Sequence, residues 1–126
     1  EYALLALLFL SRHDKEEPVS GEIIAQEQGI PPKFLQQILL ALKRAHYIRS
    51  AKGQRGGYLL AKKPHEITIA EIVRLLDGAL APTASVSKYF YEATPVEREE
   101  KLLDVFRDIR DYVAKKLEET TLADVK

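Results

Sequence analysis

The chain has 126 residues, of which 46 % are hydrophobic and 30 % are charged. This composition is typical of one globular domain, or of a small domain with an appendage. The chain contains no cysteine, which excludes disulfides, thiolate metal sites and cysteine nucleophiles. Its longest apolar run, residues 2–10, is too short to cross a bilayer and lacks the flanks of a signal peptide. We therefore expect a cytoplasmic protein that does not engage a membrane.

The 19 basic and 19 acidic residues cancel in number but not in position. Residues 31–65 carry eight Lys and Arg side chains and no acid, whereas residues 1–30 carry two basic and six acidic side chains. A long block without a carboxylate is typical of a surface that binds a polyanion. The alternative is a solvated face of a neutral protein, but such faces usually mix the two signs. The charge distribution therefore favours a nucleic acid as partner.

The first two elements are predicted to be short helices. Residues 1–10 are rich in Leu and Ala and contain no β-branched residue, which favours a buried helix. After a polar loop over residues 12–18, Ser20 is the expected N-cap of a helix over residues 21–28, which ends at Gly29. The residues of this helix predicted to face inward are Ile23, Ile24 and Ala25.

A third helix is predicted to begin at Pro31-Pro32 and to run to about His46. Its apolar positions recur at a spacing of three to four residues, which indicates an amphipathic helix. The predicted apolar face consists of Phe34, Leu35, Ile38, Leu39, Leu42 and Ala45, and the opposite face of Lys33, Gln36, Gln37, Lys43 and Arg44. Two short helices joined by a tight turn that contains Gly, the second of them basic, form the helix-turn-helix pattern.

A β-hairpin is expected next, because strand-like residues 47–50 and 58–61 flank a basic, Gly-rich segment. Its glycines permit positive φ and a close approach of another backbone. Thr68 and Glu71 form a capping box that starts a helix running to Gly78. The residues of this helix predicted to face inward are Ile69, Ile72, Val73, Leu75 and Leu76.

The longest helix is predicted at the C-terminal end, from a capping box at Thr94 to about Glu119. Roughly 25 residues of helix would span about 37 Å, longer than a domain of this size covers. We therefore expect its apolar stripe to pack partly against a second copy. The stripe consists of Leu102, Val105, Phe106, Ile109, Val113 and Leu117, and all of these except Val105 are the predicted dimerisation residues.

This order of elements, mainly α with a small β-hairpin, describes a winged helix-turn-helix domain followed by a long helix. Residues 48–61, with Ser50 and the run Gly56-Gly57-Tyr58-Leu59-Leu60, resemble the wing of the IscR/CymR-type (Rrf-type) bacterial transcription regulators. Weaker similarity to this family extends over essentially the whole chain and includes residues 2–4, 34–38, 64–78 and 120–125. The resemblance implies a winged domain over residues 1–78, a sensor-type loop over 79–94, and a dimerisation helix with a tail over 95–126.

The resemblance also implies the function: a homodimeric, sequence-specific DNA-binding regulator, which we interpret as a repressor. The second helix of its helix-turn-helix motif would enter the major groove, and its wing would enter the adjacent minor groove.

Gln36 and Gln37 suit adenine N6/N7, and Lys33 suits guanine O6/N7. Lys52 and Arg55 would enter a narrow minor groove. The other predicted DNA contacts are Lys43, Arg44, Arg49, Lys62 and Lys63 on phosphates, with Ser50, Gly56 and Gly57 of the wing. Phe34 and Tyr58 are expected in the core rather than stacked on bases.

The sequence departs from the family pattern in the loop over residues 79–94. Many members carry three cysteines there and bind an iron–sulfur cluster, and this chain has none. It is either a cluster-free member or one whose cysteines were replaced, and no cofactor is predicted. His13, His46 and His65 lie in different elements, so no metal site is expected. Tyr89, Phe90 and Tyr91 are candidates for an effector or partner surface, or they fill a gap beside the long helix.

Two other classes of function are alternatives to DNA binding. An enzyme is not expected, because the Gly-rich segment lacks the Lys-Ser/Thr of a phosphate-binding loop and no nucleophile motif is present. The remaining alternative is a winged-helix module that binds another protein and is regulated by that partner or by a small effector. Steep salt dependence of binding to duplex DNA would distinguish the two.

Overall fold

The computed structural model describes residues 1–13, 16–54, 56–76 and 95–126, with Val96 described by its backbone alone. These residues form mostly helices, one antiparallel hairpin and a long helix near the C-terminus, which confirms the predicted fold class. They divide into two compact units, one of Glu1–Ile67 with Leu122–Lys126 and the other of Thr68–Thr121. The assignment of functional parts to residues 1–78, 79–94 and 95–126 stays a prediction.

The first unit begins with three helices: α1 is Tyr2–Arg12, α2 is Gly21–Gln28 and α3 is Pro32–Arg44. The predicted cap of α2 is confirmed, because the Ser20 hydroxyl accepts a hydrogen bond from the backbone N–H of Ile23 at 3.3 Å. Gly29, with φ 64°, ends that helix in the left-handed conformation. The third helix ends two residues earlier than predicted, and His46 follows it with φ 65°.

The core of the first unit lies where the three helices pack on one another. Two residues expected in this core are not buried. Ile23 is exposed because α2 has only eight residues and buries the face that carries Ile24 and Ala25. Phe34 is 50 % exposed, because it lies about 100° around the helix axis from buried Leu35, at the edge of the buried stripe, where its ring stacks on the exposed ring of Tyr2. The buried residues of these helices are Ala3, Ala6, Leu7, Leu10, Ser11, Ile24, Ala25, Leu35, Leu39 and Leu42.

The predicted hairpin is confirmed as strands β1, Ile48–Ala51, and β2, Gly57–Leu60. They pair antiparallel, from Ile48 opposite Leu60 to Ala51 opposite Gly57. On its other side, β2 pairs with the segment that precedes α2. The N–H of Tyr58 donates to the carbonyl of Val19 at 2.8 Å, and the N–H of Val19 donates back at 3.0 Å. The hairpin is therefore fixed along both edges of β2.

The last residues of the chain complete the first unit. A short 3-10 helix covers Pro64–Glu66, and helix α6, Leu122–Val125, packs against it and against α1. The N–H of Leu122 donates to the carbonyl of Ile67 at 3.0 Å, and the Leu122 side chain is fully buried. The tail is thus part of the core of this unit.

The second unit contains helix α4, Ile69–Leu76, and helix α5, Glu100–Glu119. The capping box of α4 is confirmed: Thr68 Oγ1 accepts from the N–H of Glu71 at 3.2 Å, and the Glu71 carboxylate accepts from the N–H of Thr68 at 2.8 Å. Leu75, expected to face inward, is exposed. Of the described helices, none is both long and apolar enough to cross a membrane.

The long helix α5 differs from its prediction at its start. The α-helix begins at Glu100 after a 3-10 helix over Pro95–Arg98, so it has 20 residues and spans about 30 Å. Its N-cap, Glu99, makes no side-chain cap hydrogen bond. Thr94, the predicted cap, lies outside the described residues. The difference arises because a sequence that can start a helix does not say whether its first turn is α or 3-10.

Candidate nucleic-acid interface

Helix α3 presents a polar, basic face to solvent. Its apolar stripe of Leu35, Leu39 and Leu42 is buried, which fixes the rotation of the helix about its axis. The side chains predicted to face outward are all exposed: Lys33, Gln36, Gln37, Lys43 and Arg44. The structure therefore brings these five residues onto one accessible face, with amides and Lys33 toward its N-terminal end.

The position of α3 is set by the turn that connects it to α2. The N–H of buried Ile30 donates to the carbonyl of Ala25 at 2.9 Å, which closes the turn after Gly29. The Gln28 side chain donates to the carbonyl of Leu5 at 2.9 Å and ties the end of α2 to α1. Pro32 at the start of α3 removes one of the N–H groups that the first turn of a helix leaves without a partner. The turn and the hydrogen bond between α2 and α1 thus fix α3 with its basic face toward solvent.

The wing adds a second basic surface to the same unit. Arg49 and Ser50 of β1 are exposed, and so is Lys52 just after the strand. The backbone of the first two is fixed by pairing with Leu59 and Tyr58 of β2. Arg55, the other residue predicted to enter the minor groove, lies outside the described residues. The described part of the wing can therefore present one guanidinium and one ammonium group to a duplex.

Two glycines of the wing are required by the chain itself. A Cβ on Gly57 would lie 2.4 Å from the carbonyl carbon of Val19, and a Cβ on Gly56 would lie 2.6 Å from the carbonyl oxygen of Ala51. Real Cβ atoms essentially never come so close to such neighbours. The close backbone approach expected from the sequence is thus made within the protein, whereas contact of Gly56 and Gly57 with DNA stays a prediction.

The two lysines after the wing differ in their surroundings. The Lys62 ammonium lies 4.3 Å from the centre of the buried Tyr47 ring, a cation–π contact that the sequence did not indicate. Lys63 is exposed. Lys63 is therefore better placed for a phosphate than Lys62, whose charge already has a partner in the chain.

An open cleft of about 440 Å³ lies between α3, the start of α2 and Tyr58 of the wing. Gln36 lies in its wall, as do Ser20 at the start of α2 and the half-buried Tyr58 of β2. Glu22 in the first turn of α2 also lines the cleft, so its wall includes one carboxylate. Gln36 thus borders both the exposed face of α3 and the cleft toward the wing.

One exposed residue of α3 was placed on neither face by the sequence patterning. Leu40 is 48 % exposed and lies between the turn of Gln36 and Gln37 and the turn of Lys43 and Arg44. The signal that could have found it is its spacing, because positions three and four residues away in both directions are polar. An apolar side chain therefore lies inside the polar face.

The donor set does not fit the cluster that the family resemblance implies. An iron–sulfur cluster held by thiolates needs cysteines, and the chain has none. Within the ranges that the structure describes, no three His, Asp or Glu side chains are grouped so that they could hold a metal ion. Tyr89, Phe90 and Tyr91, the candidate effector residues, lie outside those ranges.

A helix-turn-helix followed by a basic hairpin defines a winged helix-turn-helix protein, and comparison with known proteins agrees. The profile of the Rrf2 family, described as an iron-dependent transcriptional regulator, matches residues 1–126. The chain belongs to the Rrf2 family. This confirms the resemblance found in the sequence.

Named relatives and solved structures support the same assignment. The HTH-type transcriptional regulator CymR of Bacillus subtilis is 32 % identical over 124 residues, which cover 98 % of this chain and 83 % of that protein. The solved structure of CymR, the global cysteine regulator of B. subtilis, matches with a TM-score of 0.77 at 31 % identity over 98 % of this chain and 89 % of that one. IscR of T. potens matches with a TM-score of 0.74 at 28 % identity over 98 % and 80 %. The family and these relatives are transcriptional regulators, not enzymes.

Proposed function

We propose that this Rrf2-family regulator is a cytoplasmic, sequence-specific DNA-binding repressor that acts as a homodimer, with α3 in the major groove and the wing in the adjacent minor groove. The observation that carries the proposal is the exposed face of α3 within a stretch of chain that has no acid. An α-helix fits the major groove, and the amides of Gln36 and Gln37 have the donor and acceptor that adenine N6/N7 requires. The wing follows α3 directly, so its Arg49 and Lys52 can reach the neighbouring groove.

The homodimer is supported by an apolar stripe that α5 exposes. Although Leu103 and Ala114 of α5 are buried, four large apolar side chains of the same helix are exposed: Leu102, Val105, Ile109 and Tyr112. They are spaced by three and four residues, so they form one stripe along the N-terminal half of the helix. Of the predicted dimerisation residues, Phe106, Val113 and Leu117 are half-buried. A second copy of the same stripe would remove these side chains from water.

Repression is the simplest regulatory outcome of such a dimer, because occupancy of an operator blocks transcription without any further contact surface. An effector or partner protein acting at the loop over residues 79–94 stays a prediction. The proposal predicts that a purified dimer lowers transcription from a template that contains its operator. Activation of the same template would contradict the repressor assignment and leave DNA binding intact.

Salt titration of duplex binding tests the core of the proposal. Each neutralised phosphate contributes about −0.9 to the slope of log affinity against log salt. Phosphate contacts from Lys43, Arg44, Arg49 and Lys63 thus give a slope of about −3 to −4 per subunit, and Lys43→Ala or Lys63→Ala should each reduce its magnitude by about 1. The matched control is Lys101→Ala on α5, which should leave the slope unchanged. A flat salt response, or no binding to any duplex, would favour the protein-binding module instead.

A further inference from the structure

The exposed Leu40 marks a feature of α3 that the proposed phosphate and amide contacts do not use. Single exposed leucines are common on protein surfaces, so the exposure of Leu40 is not unusual in itself. What distinguishes Leu40 is the set of residues around it. Going one turn in either direction along the same face, the neighbours are Gln36 and Gln37 on one side and Lys43 and Arg44 on the other, and all four are exposed.

The helix geometry places the Leu40 side chain beside the two amides. At 100° per residue, Leu40 lies within about 40° of Gln36 and about 60° of Gln37 around the helix axis. Side chains of an α-helix lean toward its N-terminus, so the Leu40 side chain covers the turn that holds these glutamines. One patch of the face therefore combines two amides with the methyl groups of a leucine.

The chemistry of the surroundings selects the ligand of this patch. A hydrophobic protein surface that covered Leu40 would have to bury the charges of Lys33, Lys43 and Arg44 as well, which is costly without acidic partners. The major groove avoids that cost, because its phosphates lie beside the basic residues while the thymine C5-methyl is an apolar group on a base edge. A glutamine that reads adenine N6/N7 also brings the methyl of the paired thymine into the same groove.

We propose that Leu40 is a specificity-determining residue that contacts a thymine methyl group in the major groove, next to the position read by Gln36 or Gln37. The inference rests on the proposed DNA-binding function and deepens it. It implies that each half-site contains an A·T pair that is recognised by its methyl group and not by a hydrogen bond alone.

The test removes the methyl group from the DNA and the leucine from the protein in turn. Duplexes are first recovered with the unmodified protein from a random-sequence library, and each thymine of the recovered site is then replaced singly by deoxyuridine. At one thymine per half-site the unmodified protein should lose about fourfold in affinity, as expected for one methyl group worth about 0.8 kcal/mol. Leu40→Ala should bind the thymine and deoxyuridine duplexes equally, which gives the coupling directly.

The matched control is Leu75→Ala. Leu75 is also a helical leucine, 42 % exposed, but it lies on α4 outside the acid-free block. This variant should keep the fourfold sensitivity to deoxyuridine. Equal unfolding midpoints of both variants and the unmodified protein are expected, because neither side chain is buried.

Three results would overturn the inference, and the first two of them leave the proposed DNA binding intact. If duplexes are recovered but no deoxyuridine replacement affects the unmodified protein more than Leu40→Ala, DNA binding stands and the methyl contact is wrong. If Leu40→Ala changes the sedimentation of the free protein, Leu40 contacts a second copy and not a base. If no duplex is recovered at all, the proposed function fails together with the inference.

Discussion

Replacing Gly57 by Ala tests whether the wing is held in place by the backbone of its own chain. The added Cβ would lie 2.4 Å from both the carbonyl carbon and the carbonyl oxygen of Val19, and 2.8 Å from the backbone nitrogen of Ser20. All three neighbours are backbone atoms, which cannot rotate away as a side chain can. Strand β2 must therefore separate from the segment before α2.

The magnitude follows from what that separation breaks. Two hydrogen bonds join Val19 and Tyr58, at 2.8 and 3.0 Å. Each contributes about 1 kcal/mol to the free energy of unfolding, and forcing a methyl group into packed structure adds about 1–3 kcal/mol. We expect Gly57→Ala to lower the free energy of unfolding by about 3–5 kcal/mol.

Urea unfolding followed by circular dichroism measures this loss, with Gly21→Ala as the matched control. A Cβ on Gly21 would meet only the Leu39 and Tyr58 side chains at 3.6 and 3.8 Å, which is ordinary contact. That variant should change stability by less than about 1 kcal/mol. Equal midpoints for the two variants would refute the reasoning. A Gly57→Ala protein of normal stability that no longer binds DNA would instead assign this glycine to the DNA contact.

Three further predictions concern the interface, the dimer and the end of α3. Gln37→Ala should relax sequence preference at one half-site position by roughly 1–3 kcal/mol in competition binding, whereas the control Gln26→Ala, at an exposed position of α2, should leave it unchanged. Uniform weakening across sequences would contradict base reading by Gln37. Ile109→Glu should shift sedimentation from dimer to monomer, because it places a charge in the exposed stripe of α5. The control Lys115→Glu should leave the dimer intact, and a dimer in both variants would exclude this stripe as the interface. His46→Gly should raise the free energy of unfolding by about 0.5–1 kcal/mol, since φ 65° favours glycine. An unchanged urea midpoint would show that contacts of the His46 side chain offset this backbone cost.

The parts of the fold that local chemistry controls could be predicted from the sequence. Ser20 and Gly29 fixed the ends of α2, and the Thr68–Glu71 capping box fixed the start of α4, because each signal acts within a few residues. The basic face of α3 was also predicted, since Leu35, Leu39 and Leu42 leave only one rotation of the helix possible.

The parts that failed depend on distant residues or on the edge of the core. Phe34 continues the apolar spacing of α3, but spacing alone does not show how wide the buried stripe of the helix is, and Phe34 lies at its edge. The need for glycine at position 57 comes from Val19, which lies far away in the sequence, and a hairpin pattern carries no information about that neighbour. Leu40 was missed because leucines are usually assigned to the buried face of an amphipathic helix, although its polar neighbours three and four residues away place it on the exposed face.

The burial of Leu122 in the first unit also has a consequence for the order in which the protein matures. Synthesis proceeds from the N-terminus, so the ribosome makes α1, α2, α3 and the wing well before it makes Leu122. Until then, the space beside α1 and the 3-10 helix that this side chain fills stays open. A nascent chain that has not yet extended past α5 therefore lacks part of the core of the first unit, and the winged unit reaches its final packing only after Leu122 has been made.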